Sequence, residues 1–342
     1  MARFIESYSV AHTVKKSNMP RLKIVSLFCG CGGADLGVVG GFEFLGKKYK
    51  KHNAKIQHSS DINEKAVATY NLNFRHKALV EDVRKLSFSR GSADVVIGGF
   101  PCQSFSTVNP TKKPGKRDTQ LFWEMANVVG MIRPKALIAE NVKGFYRLSD
   151  GKYFRMAIKE FERLGYTMSS KIINSSDFGV PQLRERIFMV GIRKDLKKTY
   201  VFPNPTHGVP SRPRKNILSD VIDDIEGPGP KYIFSQRAVE GVKKAKKNMK
   251  RALAQDMSKQ CLTITSHLAK VSLNSRDPVI LIDPSKEKYR RFTPREAARI
   301  QSFPDTFDFA GSEADAYRQI GNAIPPIVFW NLFSALKKVL NA

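Results

Sequence analysis

Short apolar runs alternate with helical patterns along the first half of the chain. The four runs cover residues 22–28, 55–61, 93–99 and 135–141. Between several of them apolar residues fall at helical spacing, as in residues 119–132, which end before Arg133 and Pro134. Strands that alternate with helices pair in parallel, because each helix returns the chain to the same end of the sheet. The pattern predicts an α/β fold with a doubly wound, mostly parallel sheet, whose ligands bind beyond the carboxyl ends of the strands.

The composition of the sequence and its strand and helix patterns change after residues 186–193. Residues 202–215 are rich in Pro and basic residues, residues 226–230 read EGPGP, and strand and helix patterns stay weak towards residue 290. At 293–296, TPRE has the residues of a helix start with a capping box, and residues 325–340 form an amphipathic last helix. We predict an N-terminal extension, a large domain, a smaller irregular domain and a C-terminal region that returns to the large domain, at residues 1–20, 21–195, 196–290 and 291–342.

The charge of the chain indicates a polyanionic partner. Its 342 residues contain 58 Lys and Arg against 31 Asp and Glu, a formal net charge of +27. Such a surface attracts nucleic acid or an anionic membrane. We find no apolar run near the roughly 18 residues of a spanning helix, no lipidation signal and no signal peptide in residues 1–20. Nucleic acid is therefore the first partner to consider, no membrane association is expected, and we expect the chain in the reducing cytoplasm.

The four cysteines fit a reducing compartment. Cys29, Cys31, Cys102 and Cys261 form neither a disulfide framework nor a paired CxxC spacing. No second Cys/His pair stands at ligand spacing from Cys29 and Cys31, so no metal site is expected. Cys102 stands in GGFPCQSFS, just past the predicted strand 93–99. There it is either a buried filler residue or a nucleophile, and its position alone does not decide between the two.

Candidate ligand-binding residues follow the first strands. LFCGCGGADLG, residues 27–37, opens a helix with glycines that let a ligand approach the backbone at the helix N-terminus. A tight turn without a ligand fits these glycines nearly as well. Asp61 is either an acceptor for ribose hydroxyls or a helix cap, and Asp82 is either a ligand contact or a turn residue. Taken separately, none of them identifies a ligand.

Six short motifs occur in one order along the chain. They are FCGCGG, PCQSFS, ENVKG, QLRER, RRFTPREAARIQSFP and QIGNAIPP, beginning at residues 28, 101, 140, 182, 290 and 319. In sequence and spacing they resemble the motif series of the cytosine-5 DNA methyltransferases of bacterial restriction-modification systems. The resemblance covers residues 22–195 and 290–342, and omits 200–285, the variable target-recognition region of that family. Within that region, TITSHLAK at 263–270 resembles a family segment that contacts the DNA backbone.

The resemblance implies a Rossmann-like methyltransferase fold and a covalent mechanism. Carbon 5 of cytosine is a poor nucleophile, so a nucleophile must first add at carbon 6, and a thiolate does this well. By its match to the Pro-Cys motif, Cys102 has this role, and Glu140 supplies a proton or hydrogen bond to ring nitrogen 3. Arg186 contacts the exocyclic oxygen and Arg184 organises the site. Because the two arginines lie two residues apart on an extended segment, they face one side, where they require an anion or carbonyls.

The implied cofactor is S-adenosyl-L-methionine, which leaves as S-adenosyl-L-homocysteine. Phe28 resembles the ring that stacks on adenine, Asp61 the residue that binds the ribose, Asp82 one near the adenine amino group and Asn322 a contact of the amino-acid end. The other predicted cofactor residues are Gly30, Gly32, Gly33, Ile62, Val83, Pro101 and Leu121. The implied substrate is duplex DNA with the target base flipped out of the stack, beneath a mobile loop at 107–118.

Three other functions fit parts of the sequence. A tRNA cytosine methyltransferase uses the same scaffold, although the sizeable recognition region and PCQSFS favour DNA. A non-catalytic nucleic-acid-binding protein would lack the nucleophile, the carboxylate or the cofactor loop, all of which are present. A cysteine hydrolase is disfavoured because no His stands out as a partner for Cys102. We expect a monomer on double-stranded DNA that works with a cognate restriction endonuclease; the recognition sequence cannot be read from residues 200–285.

Overall fold

The computed structural model describes residues 21–101, 116–227, 229–246, 254–268 and 279–341. The strands are β1 (Leu22–Leu27), β2 (Phe42–Phe44), β3 (Lys47–Tyr49), β4 (Ala54–Asp61), β5 (Leu79–Val80), β6 (Val95–Gly99), β7 (Ala136–Val142), β8 (Tyr166–Asn174), β9 (Gln182–Leu183), β10 (Glu185–Arg193), β11 (Cys261–Leu262), β12 (Ile280–Asp283) and β13 (Lys288–Arg290). The α-helices are α1 (Gly33–Val39), α2 (Glu64–Asn73), α3 (Lys116–Ile132), α4 (Lys143–Arg147), α5 (Lys152–Arg163), α6 (Gln236–Lys246), α7 (Pro294–Ile300), α8 (Glu313–Asn322) and α9 (Pro326–Asn341).

A seven-stranded sheet lies at the centre, in the order β5-β4-β1-β6-β7-β10-β8. Strands β5, β4, β1, β6 and β7 are parallel, whereas β10 runs antiparallel to both of its neighbours. The predicted α/β fold with a mostly parallel sheet is confirmed. From β1 the chain continues to β4 on one side and later to β6 on the other, so a crevice opens where the carboxyl ends of these three strands meet.

Both faces of the sheet are covered, because neighbouring residues of one strand enter different cores. Ile24 packs in one core with Leu332 of α9. Val25 packs in the other with Met125 of α3 and Phe161 of α5. All five side chains are at most 1% exposed, and full burial of a large apolar side chain stabilises a fold by about 1.5–3 kcal/mol. The period of two along a strand thus gives the doubly wound arrangement that the sequence predicts.

The predicted helix start at TPRE is confirmed. Thr293 is the N-cap of α7, with its Oγ1 accepting from the backbone N of Glu296 at 3.1 Å. The carboxylate of Glu296 in turn accepts from the backbone N of Thr293 at 2.7 Å, which completes a capping box. Glu296 also pairs with the fully buried Arg290, whose guanidinium donates to the carbonyls of Asp224 and Ile225. These contacts attach the irregular region to α7.

The described residues between 196 and 290 form only short elements, as the weak patterns predict. They are α6, β11, β12 and β13, with 3₁₀ turns at Leu218–Asp220 and Pro230–Tyr232. Strand β11 pairs in parallel with β9, and Tyr200, Leu218 and Ile264 pack in the same core as α8 and α9. The division of the chain into domains at these boundaries stays a prediction.

Among the described residues, one stretch has the length and hydropathy of a membrane span, which the sequence did not predict. It covers Glu313–Asn341, with a mean hydropathy of 1.2 over its most apolar window. The stretch consists of α8 and α9, which residues 323–325 separate. Half of that window is buried, and Leu332, Phe333 and Leu336 are fully buried in the core. Packing inside the protein therefore accounts for its apolar composition.

Candidate active site

The turn between β1 and α1 lines the crevice. Phe28, Gly30 and Gly32 have φ values of +54°, +53° and +95°, so the chain reverses through left-handed conformations that favour glycine. A Cβ on Gly32 would lie 2.5 Å from the ring of Phe74, whereas one on Gly30 would meet nothing within 4 Å. Gly30 therefore borders open space. Phe28 adopts its left-handed backbone without being a glycine, a strain that is common at functional sites.

Asp61 ends β4 directly beside this turn. Its Oδ2 accepts from the backbone N of Gly30 at 2.9 Å, and its Oδ1 accepts from the backbone N of Asn63 at 2.9 Å. Burial raises the pKa of Asp61. Each carboxylate oxygen can still accept another hydrogen bond. The next residue, Ile62, is 71% exposed and offers an apolar side chain at the rim.

Asp82 follows β5 and caps a short 3₁₀ turn that begins at the buried Val83. Its carboxylate accepts from the backbone N of Arg84 at 3.0 Å and pairs with the Arg84 guanidinium. Hydrogen bonds from Arg84 lower the pKa of Asp82 to about 2. The sequence left two roles open for Asp82. The structure shows Asp82 as a turn residue, and its contact with a cofactor stays a prediction.

The C-terminal motif approaches the turn from the opposite side. A Cβ on Gly33 would lie 2.4 Å from the carbonyl oxygen of Ile324, and one on Gly99 would lie 3.4 Å from the Ile324 side chain. Asn322, two residues earlier, ends α8 with its side chain exposed. Leu121 lies partly buried in α3. The contacts of Ile324 thus bring residues 322–324 to the end of β1 and the end of β6.

Strand β6 leads into the segment with the predicted nucleophile. Cys102 and most of the predicted loop 107–118 lie outside the described residues. Before it, Pro101 is partly buried, and the carbonyl of Phe100 accepts from Nδ2 of Asn141 at 3.1 Å. Asn141 is 2% exposed, so this hydrogen bond is shielded from water. It fixes the backbone just before Pro101.

Glu140 and Arg186 meet across strands β7 and β10. Antiparallel pairing sets Arg186 opposite Val142, and Phe188 opposite Glu140, which makes Glu140 and Arg186 diagonal neighbours on one face. Their Oε1 and Nε atoms are 3.2 Å apart. Burial raises the pKa of Glu140, and this effect outweighs the attraction of the arginines, which lowers it. The geometry supplies a carboxyl group that can hold a proton beside a fixed cation.

Arg184 has different partners from Arg186. It is 2% exposed, and its guanidinium donates to the backbone carbonyls of Ile264, Gly321 and Ala323 at 3.0–3.3 Å. The sequence predicts an anion or carbonyls as the partners of these two arginines. Arg186 pairs with the Glu140 carboxyl group, and Arg184 pairs with backbone carbonyls. Arg184 thus joins three segments of the chain and does not face the crevice as a free charge.

Several buried polar residues near the site were not predicted from the sequence. They are Asp35, Asn141, Gln182 and Gln301. A sequence signal exists only for Asp35, a carboxylate in the apolar stretch LFCGCGGADLGVV, where a charged residue needs partners if it is buried. The other three are amides inside motifs, and their type alone does not indicate burial.

The residues at the crevice fit an adenosine-type cofactor. The open space at Gly30, the carboxylate of Asp61 and the exposed amide of Asn322 provide room and polar groups at the carboxyl edge of the sheet. Within the described residues, no cluster of three or more His, Cys, Asp or Glu side chains could hold a metal ion. The fold is that of Rossmann-like methyltransferases: the chain matches the structure of the S. pombe Dnmt2 methyltransferase with a TM-score of 0.69 at 20% identity, covering 94% of this chain and 100% of that one. The Entamoeba histolytica methyltransferase EhMeth matches with a TM-score of 0.67 at 17% identity, covering 94% and 99%.

Sequence comparison gives the family. Residues 22–338 match the C-5 cytosine-specific DNA methylase model, and the chain belongs to that family. It is 31% identical to the type II methyltransferase M.FnuDI of Fusobacterium nucleatum over 93% of this chain and 95% of that protein. It is 30% identical to M.BsuRI of Bacillus subtilis over 90% and 77%. The protein is thus a DNA cytosine-5 methyltransferase, as its motif series predicts.

Asp35 provides a test of the packing beneath the crevice. It is fully buried in the first turn of α1, where it accepts hydrogen bonds from Ser26 Oγ at 2.9 Å and Tyr70 OH at 3.1 Å. Burial raises its pKa from 3.8 to about 6. The folded state therefore binds more protons than the unfolded state between these pH values, and this contribution to stability is lost as the pH rises through 6.

We expect Asp35→Asn, which carries no titrating proton, to escape this loss. Relative to wild type, its free energy of unfolding should improve by about 2 kcal/mol between pH 4.5 and pH 7.5, since one pKa unit corresponds to about 1.4 kcal/mol. Urea unfolding at the two pH values measures this change. Glu43→Gln, at an exposed position of β2, is the control. It should change the free energy of unfolding by the same amount at the two pH values. If the free energy of unfolding of Asp35→Asn differs from that of wild type by the same amount at both pH values, the prediction is wrong.

Proposed function

We propose that the enzyme transfers the methyl group of S-adenosyl-L-methionine to carbon 5 of a flipped-out cytosine in a specific duplex sequence, through a covalent adduct of Cys102. The observation that carries this proposal is the buried Glu140–Arg186 pair, which lies at the same edge of the sheet as the Phe100–Pro101 segment. When bound, the cofactor supplies an electrophilic methyl group.

The residues around the glycine turn would hold this cofactor. Asp61 is suited to accept hydrogen bonds from ribose hydroxyls and Phe28 to stack on adenine, with Asn322 near the amino-acid end. Gly30 leaves the room that the ligand requires. The other members of the proposed site are Gly32, Gly33, Ile62, Asp82, Val83, Pro101 and Leu121.

The chemistry begins at carbon 6 of cytosine. The Cys102 thiolate forms a bond to carbon 6, and the electron pair of the 5,6 double bond moves into the ring. Glu140 donates its proton to nitrogen 3, which its raised pKa permits, and Arg186 stabilises the exocyclic oxygen. Carbon 5 then takes the methyl group. A base, for which water is adequate, removes the carbon 5 proton, and the nitrogen 3 proton returns to Glu140. These two proton transfers restore the 5,6 double bond and release the thiolate.

The rest of the chain would serve DNA binding. We assign target recognition to residues 196–290 and DNA-backbone contact to 263–270, of which the structure describes 263–268. Residues 21–195 and 291–342 form the catalytic part and residues 1–20 an extension. The net charge of +27 favours contacts with phosphates. We propose that the enzyme acts as a monomer on double-stranded DNA, beside a cognate restriction endonuclease, in the bacterial cytoplasm.

Bisulfite sequencing of DNA from bacteria that express the protein tests this function. We expect cytosines within one short sequence to resist conversion, because a methyl group at carbon 5 slows deamination. Cys102→Ala should leave all cytosines convertible at equal expression. Unmodified DNA together with labelled tRNA, after incubation with radioactive cofactor, would overturn the proposal in favour of tRNA methylation.

A duplex with 5-fluorocytosine at the target tests the covalent step. Fluorine blocks the elimination that frees the thiol, so the enzyme should be trapped after methyl transfer. The adduct should require S-adenosyl-L-methionine, survive denaturation and map to the peptide with Cys102. Cys29, Cys31 and Cys261, which are buried, are internal controls. An adduct on one of them, or none with an active enzyme, would exclude this mechanism.

Asn141→Ala tests whether the hydrogen bond to Phe100 positions the nucleophile. The substitution leaves the Phe100 carbonyl without its Asn141 partner, so the segment before Cys102 gains freedom, and small displacements reduce catalysis strongly. We expect kcat to fall by about 10- to 100-fold, with KM for DNA changed less than about threefold. Asn127→Ala removes an exposed amide of α3 that contacts Glu124 and should leave kcat unchanged. Equal kcat values for both variants would show that the hydrogen bond has no positioning role.

A further inference from the structure

Two side chains hold both backbone polar groups of one residue in the recognition region. The N–H of Ile264 donates to Oε1 of Gln182 at 3.0 Å. The carbonyl of Ile264 accepts from Nη1 of Arg184 at 3.3 Å. All three residues are at most 2% exposed, so water does not compete for these hydrogen bonds. The position of Ile264 therefore depends on the QLRER segment.

The same side chains reach the carboxyl end of α8. Gln182 Nε2 donates to Gln301 Oε1 at 2.6 Å, and Gln301 Nε2 donates to the carbonyl of Ala323 at 2.6 Å. Arg184 Nη2 donates to the carbonyls of Gly321 and Ala323 at 3.0 and 3.1 Å. A helix end leaves such carbonyls without partners inside the helix, and its dipole favours a cation there.

Gln182, Gln301 and Arg184 thus form a buried bridge between Ile264 and Ala323. One route runs through the two amides and the other through the guanidinium. The N–H at one end requires an acceptor and the carbonyl at the other end requires a donor, so each amide has one possible orientation. In a buried network of this kind, the loss of one member leaves the others unsatisfied.

A close backbone contact presses the same segments together. A Cβ on Gly321 would lie 2.2 Å from the carbonyl carbon of Thr265 and 2.4 Å from the backbone N of Ser266. Gly321 lies within α8, where alanine is the better helix former. Helix geometry does not require glycine there, whereas the contact with residues 265–266 does. Movement of either segment therefore affects the other.

We propose that the buried bridge couples DNA binding at residues 263–268 to cofactor binding at Asn322. This inference rests on the proposed function, which assigns DNA to the first segment and the cofactor to the second. Asn322 lies between Gly321 and Ala323, whose carbonyls the bridge holds, so a shift of residues 263–268 moves the backbone of Asn322. Gln182 and Gln301 are positioning residues that act through these segments. Such coupling is reciprocal: each ligand tightens the other by the same factor.

Calorimetric titration of S-adenosyl-L-homocysteine, with and without a saturating duplex, tests the coupling. The duplex carries the sequence that bisulfite sequencing identifies. For the wild-type enzyme we expect the duplex to lower the Kd by about tenfold, within the range of coupled sites. Gln301→Leu removes the amide at similar volume, and Gly321→Ala separates the segments. In either variant the duplex should lower the Kd of S-adenosyl-L-homocysteine by less than about twofold.

Gly130→Ala in α3 is the matched control for Gly321→Ala. Its Cβ would lie at an ordinary 3.5 Å from Leu164, and we expect the full coupling factor. A wild-type factor of one would overturn the inference, as would a Gln301→Leu enzyme that loses thermal stability but keeps the factor. If Gln301→Leu does not fold, Gly321→Ala decides alone by the same criterion. A wild-type enzyme that does not bind S-adenosyl-L-homocysteine, or that methylates no DNA, would contradict the proposed function itself.

Discussion

Charge buried at the carboxyl edge of the sheet constrains the site more than any other feature. Arg184 and Glu140 are buried and the side chain of Arg186 is 16% exposed. An ion removed from water costs several kcal/mol unless protein groups replace its hydration. Arg186 obtains a carboxylate from the neighbouring strand, whereas Arg184 obtains carbonyls from two segments distant in sequence. Satisfying these charges therefore fixes where Ile264 and the end of α8 lie relative to the sheet.

The one antiparallel strand between β7 and β8 has a chemical consequence. Glu140 lies near the carboxyl end of β7, and Arg186 lies near the amino end of β10. Because β10 runs opposite to β7, its amino end reaches the crevice, and the residues that precede it arrive there as well. A parallel strand in this place would direct its amino end to the far edge of the sheet. The reversal thus allows QLRER to meet ENVKG.

The sequence predicted what depends on local pattern. Apolar runs located β1, β4, β6 and β7, and the spacing of Thr293 and Glu296 located the start of α7. The partners of buried amides are not local: Gln182 and Gln301 are 119 residues apart, and no residue type or period marks their contact. For Asp82 the sequence left two roles open, because an aspartate after a strand suits a turn and a ligand equally well. The contacts of Asp82 show its turn role, and its contact with a cofactor stays a prediction.

Two buried carboxyl groups near the crevice show that a raised pKa does not by itself mark a catalytic residue. Burial raises the pKa of both Asp35 and Glu140. Asp35 accepts hydrogen bonds from the hydroxyls of Ser26 and Tyr70 within the packed interior, so both of its oxygens have protein partners. Glu140 shares one oxygen with Arg186 and turns the other toward Gly99, which has no side chain to cover it. The proposed mechanism uses this second oxygen to exchange a proton with the substrate, a role for which Asp35, with both oxygens occupied by protein hydroxyls, is not suited.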